Sequence, residues 1–192
     1  GALAEAYVSS AEQDRSDRES LYAKAKASAE RALQLDERNV QAHNALAEYY
    51  FHYAWEWEES DRQMQRALAV DPNYYVALSH YGNHELARGR FDAGLAAHLK
   101  VTELNPLAGG SNVPFAYILM GRYDEAIRVA RAQIAEHPNR IYPRMHLGDA
   151  LIRSGKPDEG LRILEEAVQR AKDDGWFLAI LGAAYGNAGQ KD

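Results

Sequence analysis

The sequence contains no cysteine among its 192 residues. Disulfide bonds and thiolate chemistry are therefore excluded, and the absence fits a reducing compartment. Positive charge is also scarce, because 22 Lys and Arg stand against 28 Asp and Glu, for a net charge of -6. Nucleic acids and anionic membrane surfaces attract clustered basic side chains. The composition thus argues against direct contact of this chain with nucleic acid or membrane.

Long apolar runs are missing as well. The longest, residues 176–185, falls well short of the roughly 20 residues that a bilayer-spanning helix needs. The N-terminal string GALAEAYVSS lacks a basic start followed by an apolar block, so it does not resemble a signal peptide. We expect the chain to be a domain excised from a longer protein.

The sequence does contain an internal repeat. RALQLDERN, RALAVDPNY, KVTELNPLA, AQIAEHPNR and EAVQRAKDD begin at positions separated by 35, 34, 32 and 34 residues. Each string starts with a helical pattern, and most end at or near a proline, which cannot continue a helix. The sequence is therefore expected to be built from one helical unit used several times.

Within each period the pattern is helix, tight turn, helix, and residues 77–104 show it best. Gly89 is placed where a left-handed residue ends the first helix. Gly82 and Gly94 are small where two helices must approach closely. Residues 144–168 repeat the layout with Gly148, Gly155 and Gly160.

This arrangement resembles the tetratricopeptide repeat, an antiparallel helix pair with a period near 34 residues. The resemblance covers nearly the whole chain and implies an all-α, right-handed α-solenoid with a concave inner face. It implies about five repeat units and one extra helix in a single domain. The expected units are 1–39, 40–74, 75–108, 109–140 and 141–174, with the extra helix at 175–192.

Three segments depart from the pattern. Trp55 and Trp57 lie in the turn of a unit that is one residue longer, and we expect them to be mostly core, with an exposed contact role for Trp55 as the alternative. Residues 11–20 are polar and predict a solvated loop between the first two helices. In the fourth unit, residues 105–114 shorten the first helix, which predicts a notch near Gly109 and Gly110 with Pro114 in the first helical turn.

Catalytic and metal signatures are weak. His80 and His84 stand four apart on one predicted helix, but no third metal ligand is evident near them in the sequence. No serine nucleophile motif, phosphate-binding glycine loop or Cys/His pair occurs. We expect a non-catalytic chain with no metal site and no cofactor.

Recognition of a partner protein is the remaining function, and the first helix of each pair would line the inner face of the solenoid. We expect positions at three- and four-residue steps along these helices to be exposed in the groove. Amide, imidazole, acidic and basic groups there could hydrogen-bond an extended peptide, although an unspecialised wet surface is an equal alternative. The candidates are Asn44, Glu48, His52, His80, Asn83, Tyr142, Met145, His146, Asp149 and Arg153.

The last predicted helix contains no charged residue between 176 and 189. Terminal repeats need a polar outer face for solubility, so we expect either a partner helix beyond the chain or self-association through this end. The residues proposed for a homodimer contact are Trp176, Phe177, Ile180 and Leu181.

The Trp-acid-Trp segment at 55–57 and the string Leu-Asn-Pro-Leu at 104–107 look like those of a repeat block in bacterial multidomain regulators. In those proteins the block follows winged-helix DNA-binding domains of transcriptional activators, or the catalytic domains of adenylyl cyclases and Ser/Thr kinases. The resemblance implies a cytoplasmic scaffold or regulatory module that binds a protein or peptide partner. A small-molecule-sensing domain and an oligomerisation spacer are the alternatives.

Overall fold

The computed structural model describes residues 1–13, 16–106, 112–171 and 175–187. Every regular element in these ranges is a helix and none is a strand, so the all-α prediction is confirmed. The helices are α1 (Ala2–Gln13), α2 (Arg18–Leu35), α3 (Val40–Tyr49), α4 (Trp57–Val70), α5 (Tyr75–Ala87), α6 (Phe91–Leu104), α7 (Val113–Leu119), α8 (Tyr123–Glu136), α9 (Tyr142–Arg153), α10 (Pro157–Arg170) and α11 (Gly175–Asn187). A π-helical segment, Tyr50–Ala54, extends α3.

Helices that follow each other along the chain pack against each other, as short connections require of antiparallel neighbours. Contacts join α1 to α2, α3 to α4, α7 to α8 and α9 to α10, and the first helix of one pair also meets the first helix of the next, as α1 meets α3 and α7 meets α9. In the described part of the chain, four contacting pairs result, and α11 packs against α10. The chain divides into two compact units, residues 1–84 (unit 1) and residues 85–192 (unit 2).

Three of the tight turns close on a glycine in the left-handed conformation. Gly89, Gly121 and Gly155 have φ of 76°, 72° and 85°. The backbone N–H of the residue after each glycine donates to a carbonyl five residues back, as when Arg90 bonds Glu85 at 2.9 Å. The prediction that Gly89 ends its helix is therefore confirmed, because only glycine adopts this φ without steric cost.

The turn that carries the two tryptophans is built differently. The π-helical segment precedes it, and Trp55 has φ of 60°, the one non-glycine residue with positive φ in the described part of the chain. The backbone N–H of Glu56 reaches back six residues to the carbonyl of Tyr50, so this turn contains one residue more than the others. Trp55 is 70% exposed and Trp57 53% exposed. The expectation that the pair is mostly core is wrong, because the longer turn projects both indoles outward.

Small residues set the spacing of the helices in both units. The core of unit 1 combines alanines of α1, α2 and α3 with Tyr22, whose ring stacks on Tyr53 with centroids 5.5 Å apart. In unit 2, a Cβ added to Gly160 would lie 2.6 Å from the carbonyl oxygen of Gly148. The helices α9 and α10 therefore touch backbone to backbone at this pair of glycines.

Two of the predicted departures can be compared with the structure. The polar loop expected at residues 11–20 is wrong in extent, because α1 continues to Gln13 and α2 begins at Arg18. The delayed helix of the fourth unit is confirmed, since α7 starts at Val113 and holds a proline in its first turn. Gly109 and Gly110, where the notch was expected, lie outside the described residues.

Among the described helices, none has the length and apolar character needed to cross a bilayer.

Candidate functional site

The carboxylate of Glu48 lies at the centre of a cluster of histidines in unit 1. Glu48 is on α3, whose residues 42–48 are all buried, and its own side chain is 1% exposed. Its Oε1 atom lies 2.9 Å from Nε2 of His84 and 3.5 Å from Nδ1 of His80. Its Oε2 atom lies 3.4 Å from Nε2 of His52. We call these four residues the Glu48 cluster.

Helical spacing brings the members of the Glu48 cluster together. His52 follows Glu48 by four residues, and His84 follows His80 by four, so each pair lies on one face of its helix. The ring of Phe51 stacks on the His84 ring with centroids 3.6 Å apart and planes 5° apart. This stacking fixes the orientation of a buried imidazole beside the carboxylate.

The charges of the Glu48 cluster are interdependent. Burial alone would raise the pKa of Glu48, but the charge of His80 and the close contacts from His52 and His84 outweigh it and hold this pKa below its ordinary value. Burial would lower the pKa of His52, but Glu48 and then Glu12 outweigh it and raise that pKa above its ordinary value. The carboxylate is therefore ionised and favours a positive charge next to it.

A cleft of about 220 Å³ opens beside the Glu48 cluster. One wall is held by Glu5, whose Oε1 accepts hydrogen bonds of 2.8 Å from Nδ2 of Asn44 and from the hydroxyl of Tyr74. Burial and then the charge of Glu48 raise the pKa of Glu12 on another wall. The lining residues are Glu5, Val8, Ser9, Glu12, Asn44, Val76 and His80. We call this cavity the acidic cleft.

The structure corrects several groove positions predicted in unit 1. Asn44 and Glu48 were expected to be exposed, but they are 0% and 1% exposed, because α3 packs against α1, α2 and α4 and leaves no open face there. Asn44 instead bridges Glu5 and His80, accepting at 3.0 Å from Nδ1 of the latter. His52, His80 and Asn83 are half-buried.

The candidates in unit 2 have varied surroundings. Tyr142 is 55% exposed, whereas Met145 is 4% exposed and belongs to the core, so its prediction as a groove position is wrong. The half-buried His146 stacks against Phe115 with centroids 5.8 Å apart. Asp149 accepts a 2.8 Å hydrogen bond from Nε of Arg153.

The expected self-association residues lie mostly against their own chain. Phe177 is 8% exposed, and Ile180 and Leu181 pack around the same core of unit 2, because α11 covers α10. Phe177 is therefore wrong as an exposed contact. The side chain of Trp176 lies outside the described residues. The outer face of α11 carries Leu178, which is 44% exposed.

Self-association through α11 stays a prediction. Burial of Leu178 and the small residues beside it against a second copy would hide apolar surface from water. We expect light scattering at about 100 µM protein to give a mass above the 21.5 kDa of one chain. A Leu178→Glu variant should return the mass to that of the monomer, and a wild-type protein that is monomeric at this concentration would remove the idea.

The sequence analysis did not predict the third residue that lies next to His80 and His84 in space. It found the two histidines on α5 but no nearby third ligand, whereas Glu48 lies 36 residues before His84 in the sequence and contacts it in space. The available signal was the matching four-residue spacing of Glu48 and His52 one repeat earlier. His98, buried on α6, was not predicted at all.

Comparisons with known proteins agree with the helix pairs. The tetratricopeptide repeat family model matches residues 117–189. Among curated protein sequences, none matches this chain. The structural likeness described next shows the fold of tetratricopeptide-repeat proteins.

Three solved structures are similar in fold at low sequence identity. PilW, a type IV pilus biogenesis factor, has a TM-score of 0.76 at 18% identity, over 100% of this chain and 88% of its own. A thermophilic tetratricopeptide-repeat protein of Thermus thermophilus has a TM-score of 0.72 at 18% identity, over 94% of this chain and 98% of its own. YrrB, a repeat protein with an unusual peptide-binding site, has a TM-score of 0.59 at 14% identity, over 85% of each chain.

Proposed function

We propose that the chain is a non-catalytic protein-interaction module that binds a segment of a partner protein, and that unit 1 binds it at the acidic cleft. The observation that carries the proposal is the pair of carboxylates, Glu5 and Glu12, that line one small cavity beside His80. YrrB, whose fold is similar, is described as having an unusual peptide-binding site, which supports a peptide as the ligand class.

The chemistry of the acidic cleft selects a basic side chain. The two carboxylates present acceptor atoms, which suit the donors of lysine or arginine. The net charge of -6 also attracts a basic segment over a distance. A volume of about 220 Å³ holds one side chain but is below the roughly 300–1,000 Å³ of typical small-molecule sites. The cleft therefore favours a peptide over a small-molecule signal.

A selection of random peptides followed by measured affinities tests the proposal. Peptides selected on the immobilised protein in the presence of EDTA should share a lysine or arginine. A Glu12→Gln variant should bind a selected peptide about tenfold more weakly, which corresponds to about 1.4 kcal/mol. Fluorescence anisotropy with labelled peptide measures the change.

The matched control is Glu30→Gln, which removes a carboxylate of the same type from the exposed face of α2, where it pairs with Lys26 at 3.9 Å. This variant should bind peptide like the wild type. Selected peptides that lack a basic residue and bind Glu12→Gln unchanged would refute the cleft as the site. Weaker binding by Asp149→Asn instead would move the site to the predicted groove positions Tyr142, His146, Asp149 and Arg153.

We also propose that the module is part of a cytoplasmic bacterial regulator. The Trp-acid-Trp segment and the Leu-Asn-Pro-Leu string support this setting, in which an effector domain would precede the repeats. The sequence encoded upstream of residue 1 tests it. A winged-helix, cyclase or kinase domain there is the expected result, and a pilus-assembly or export context would contradict it.

A further inference from the structure

We propose that the Glu48 cluster is a binding site for a divalent transition-metal ion such as Zn²⁺, with Glu48, His52 and His84 as its protein ligands. The proposal goes beyond the interaction function and does not depend on it. Two imidazoles and one carboxylate form a donor set that proteins use for zinc and related first-row metals.

The distances between the donor atoms fit a common metal ion. The ligand atoms of Glu48, His52 and His84 all lie within 4.8 Å of one another. Two donors that are each about 2.1 Å from a zinc ion, at a tetrahedral angle, stand roughly 3.4 Å apart. Nε2 of His52 lies 3.4 Å from Oε2 of Glu48, which matches this spacing, and Nε2 of His84 lies 2.9 Å from the other carboxylate oxygen, Oε1.

Two buried polar atoms in the cluster lack a hydrogen bond of good geometry, and a metal ion would pair with both. Oε1 of Glu48 and Nε2 of His84 are buried, and neither has a hydrogen-bond partner of good geometry in the described part of the chain, although they lie 2.9 Å apart. Leaving a buried polar atom unpaired is unfavourable, because the atom loses its water without gaining a partner. A cation between the two lone pairs removes this cost for both atoms at once.

Neighbouring residues preorganise the ligands, as the surroundings of metal sites commonly do. Phe51 fixes the ring of His84 by stacking at 3.6 Å. The backbone carbonyl of His52 accepts a 3.0 Å hydrogen bond from Arg18. The side chain of His52 is 37% exposed, so an ion can enter from its side.

His80 and Glu12 have a different relation to the site. Nδ1 of His80 lies 3.0 Å from Oδ1 of Asn44, an acceptor, so this nitrogen carries a proton and does not bind the metal. Glu12 forms a second group with Glu48 and His80 whose donor atoms lie within 4.8 Å of one another. Its carboxylate adds negative charge on the acidic-cleft side, which favours a bound cation.

Calorimetric titration of the untagged protein with ZnCl₂, after removal of metals with EDTA and dialysis, tests the proposal. We expect one zinc ion per chain and a rise in Tm with zinc, because a ligand that binds only the folded state stabilises it. Co²⁺ should bind with a visible absorption band from nitrogen and oxygen ligation. Mg²⁺ should not compete, since it prefers oxygen ligands only.

Two variants locate the ion, and a third is the control. Glu48→Gln keeps the volume of the side chain, and His52→Ala changes a side chain that is 37% exposed. Each should weaken zinc binding at least tenfold. His137→Ala removes a histidine of unit 2 and should bind zinc like the wild type.

The outcomes decide the proposal in either direction. If Glu48→Gln does not fold, as judged by circular dichroism, His52→Ala alone decides. Absence of zinc binding by the wild type up to about 1 mM would overturn the proposal. Zinc binding that is unchanged in folded His52→Ala would also overturn it. Mg²⁺ binding as strong as Zn²⁺ binding would do the same.

Discussion

A Gly160→Ala substitution is expected to lower the free energy of unfolding by about 2–3 kcal/mol, because it overpacks a closed helix contact. The added Cβ would lie 2.6 Å from the carbonyl oxygen of Gly148 and 2.6 Å from Cγ1 of Ile152. One of these obstacles is backbone, so it cannot turn aside as a flexible side chain can. Helices α9 and α10 would have to separate, and urea unfolding followed by circular dichroism measures the loss.

The matched control for this substitution is Gly182→Ala on α11. A Cβ at Gly182 meets no atom within 4 Å, and the residue is exposed and helical. Because alanine loses less conformational freedom in a helix than glycine, this variant should be more stable than wild type by about 0.5–1 kcal/mol. Equal effects of the two substitutions would mean that close packing is not what requires Gly160.

Unit 2 is expected to lose stability between about pH 6.5 and pH 4 because of two histidines, the buried His98 and the half-buried His146. Burial lowers the pKa of His98 from 6.5 to about 4. Burial, and then the charge of His98, lowers the pKa of His146 to about 4. In this window the unfolded chain binds protons that the folded chain does not, so stability falls as the pH falls. For His98 alone the loss at pH 4.5 relative to pH 7.5 is about 2.5 kcal/mol.

A His98→Leu variant isolates this effect. Both ring nitrogens of His98 are buried without a hydrogen-bond partner in the described part of the chain, so an apolar side chain breaks no bond there. At pH 7.5 the variant should be about as stable as wild type. At pH 4.5 it should be more stable by about 2 kcal/mol, measured by urea unfolding.

The control for the acid effect is His137→Ala, since His137 is only partly buried at the end of α8. It should keep the full pH dependence of the wild type. If His98→Leu also kept it, the acid sensitivity would come from other groups, with the carboxylates as the first alternative.

The helix pairs could be predicted from the sequence because their signals are local. Glycines at the turns, prolines after the second helices and a period near 34 residues each follow from backbone sterics within one repeat. Gly89 and Pro114 behave as expected for this reason. The burial of Asn44, Glu48 and Met145 depends on which neighbouring helices cover them, and periodicity along a single helix cannot give this.

The Glu48 cluster could be predicted only in part, because its residues come from two neighbouring repeats. The histidine pair on α5 can be recognised by its spacing, but its acidic partner belongs to the preceding repeat. The prediction that Trp55 and Trp57 are mostly core is wrong, although aromatic residues at helix junctions are commonly buried. The sequence pattern carries no signal for the π-helical segment, which changes the direction of Trp55 and Trp57.

The additional residue in this longer turn has a consequence for engineered repeat arrays. Deleting one residue from a helix rotates everything after it by about 100° relative to everything before it. A deletion between Glu48 and His52 that restored the regular 34-residue period would rotate His52 by about 100° around the helix axis relative to Glu48. A consensus design that idealised this chain in that way would gain regularity and change the contact between the two side chains.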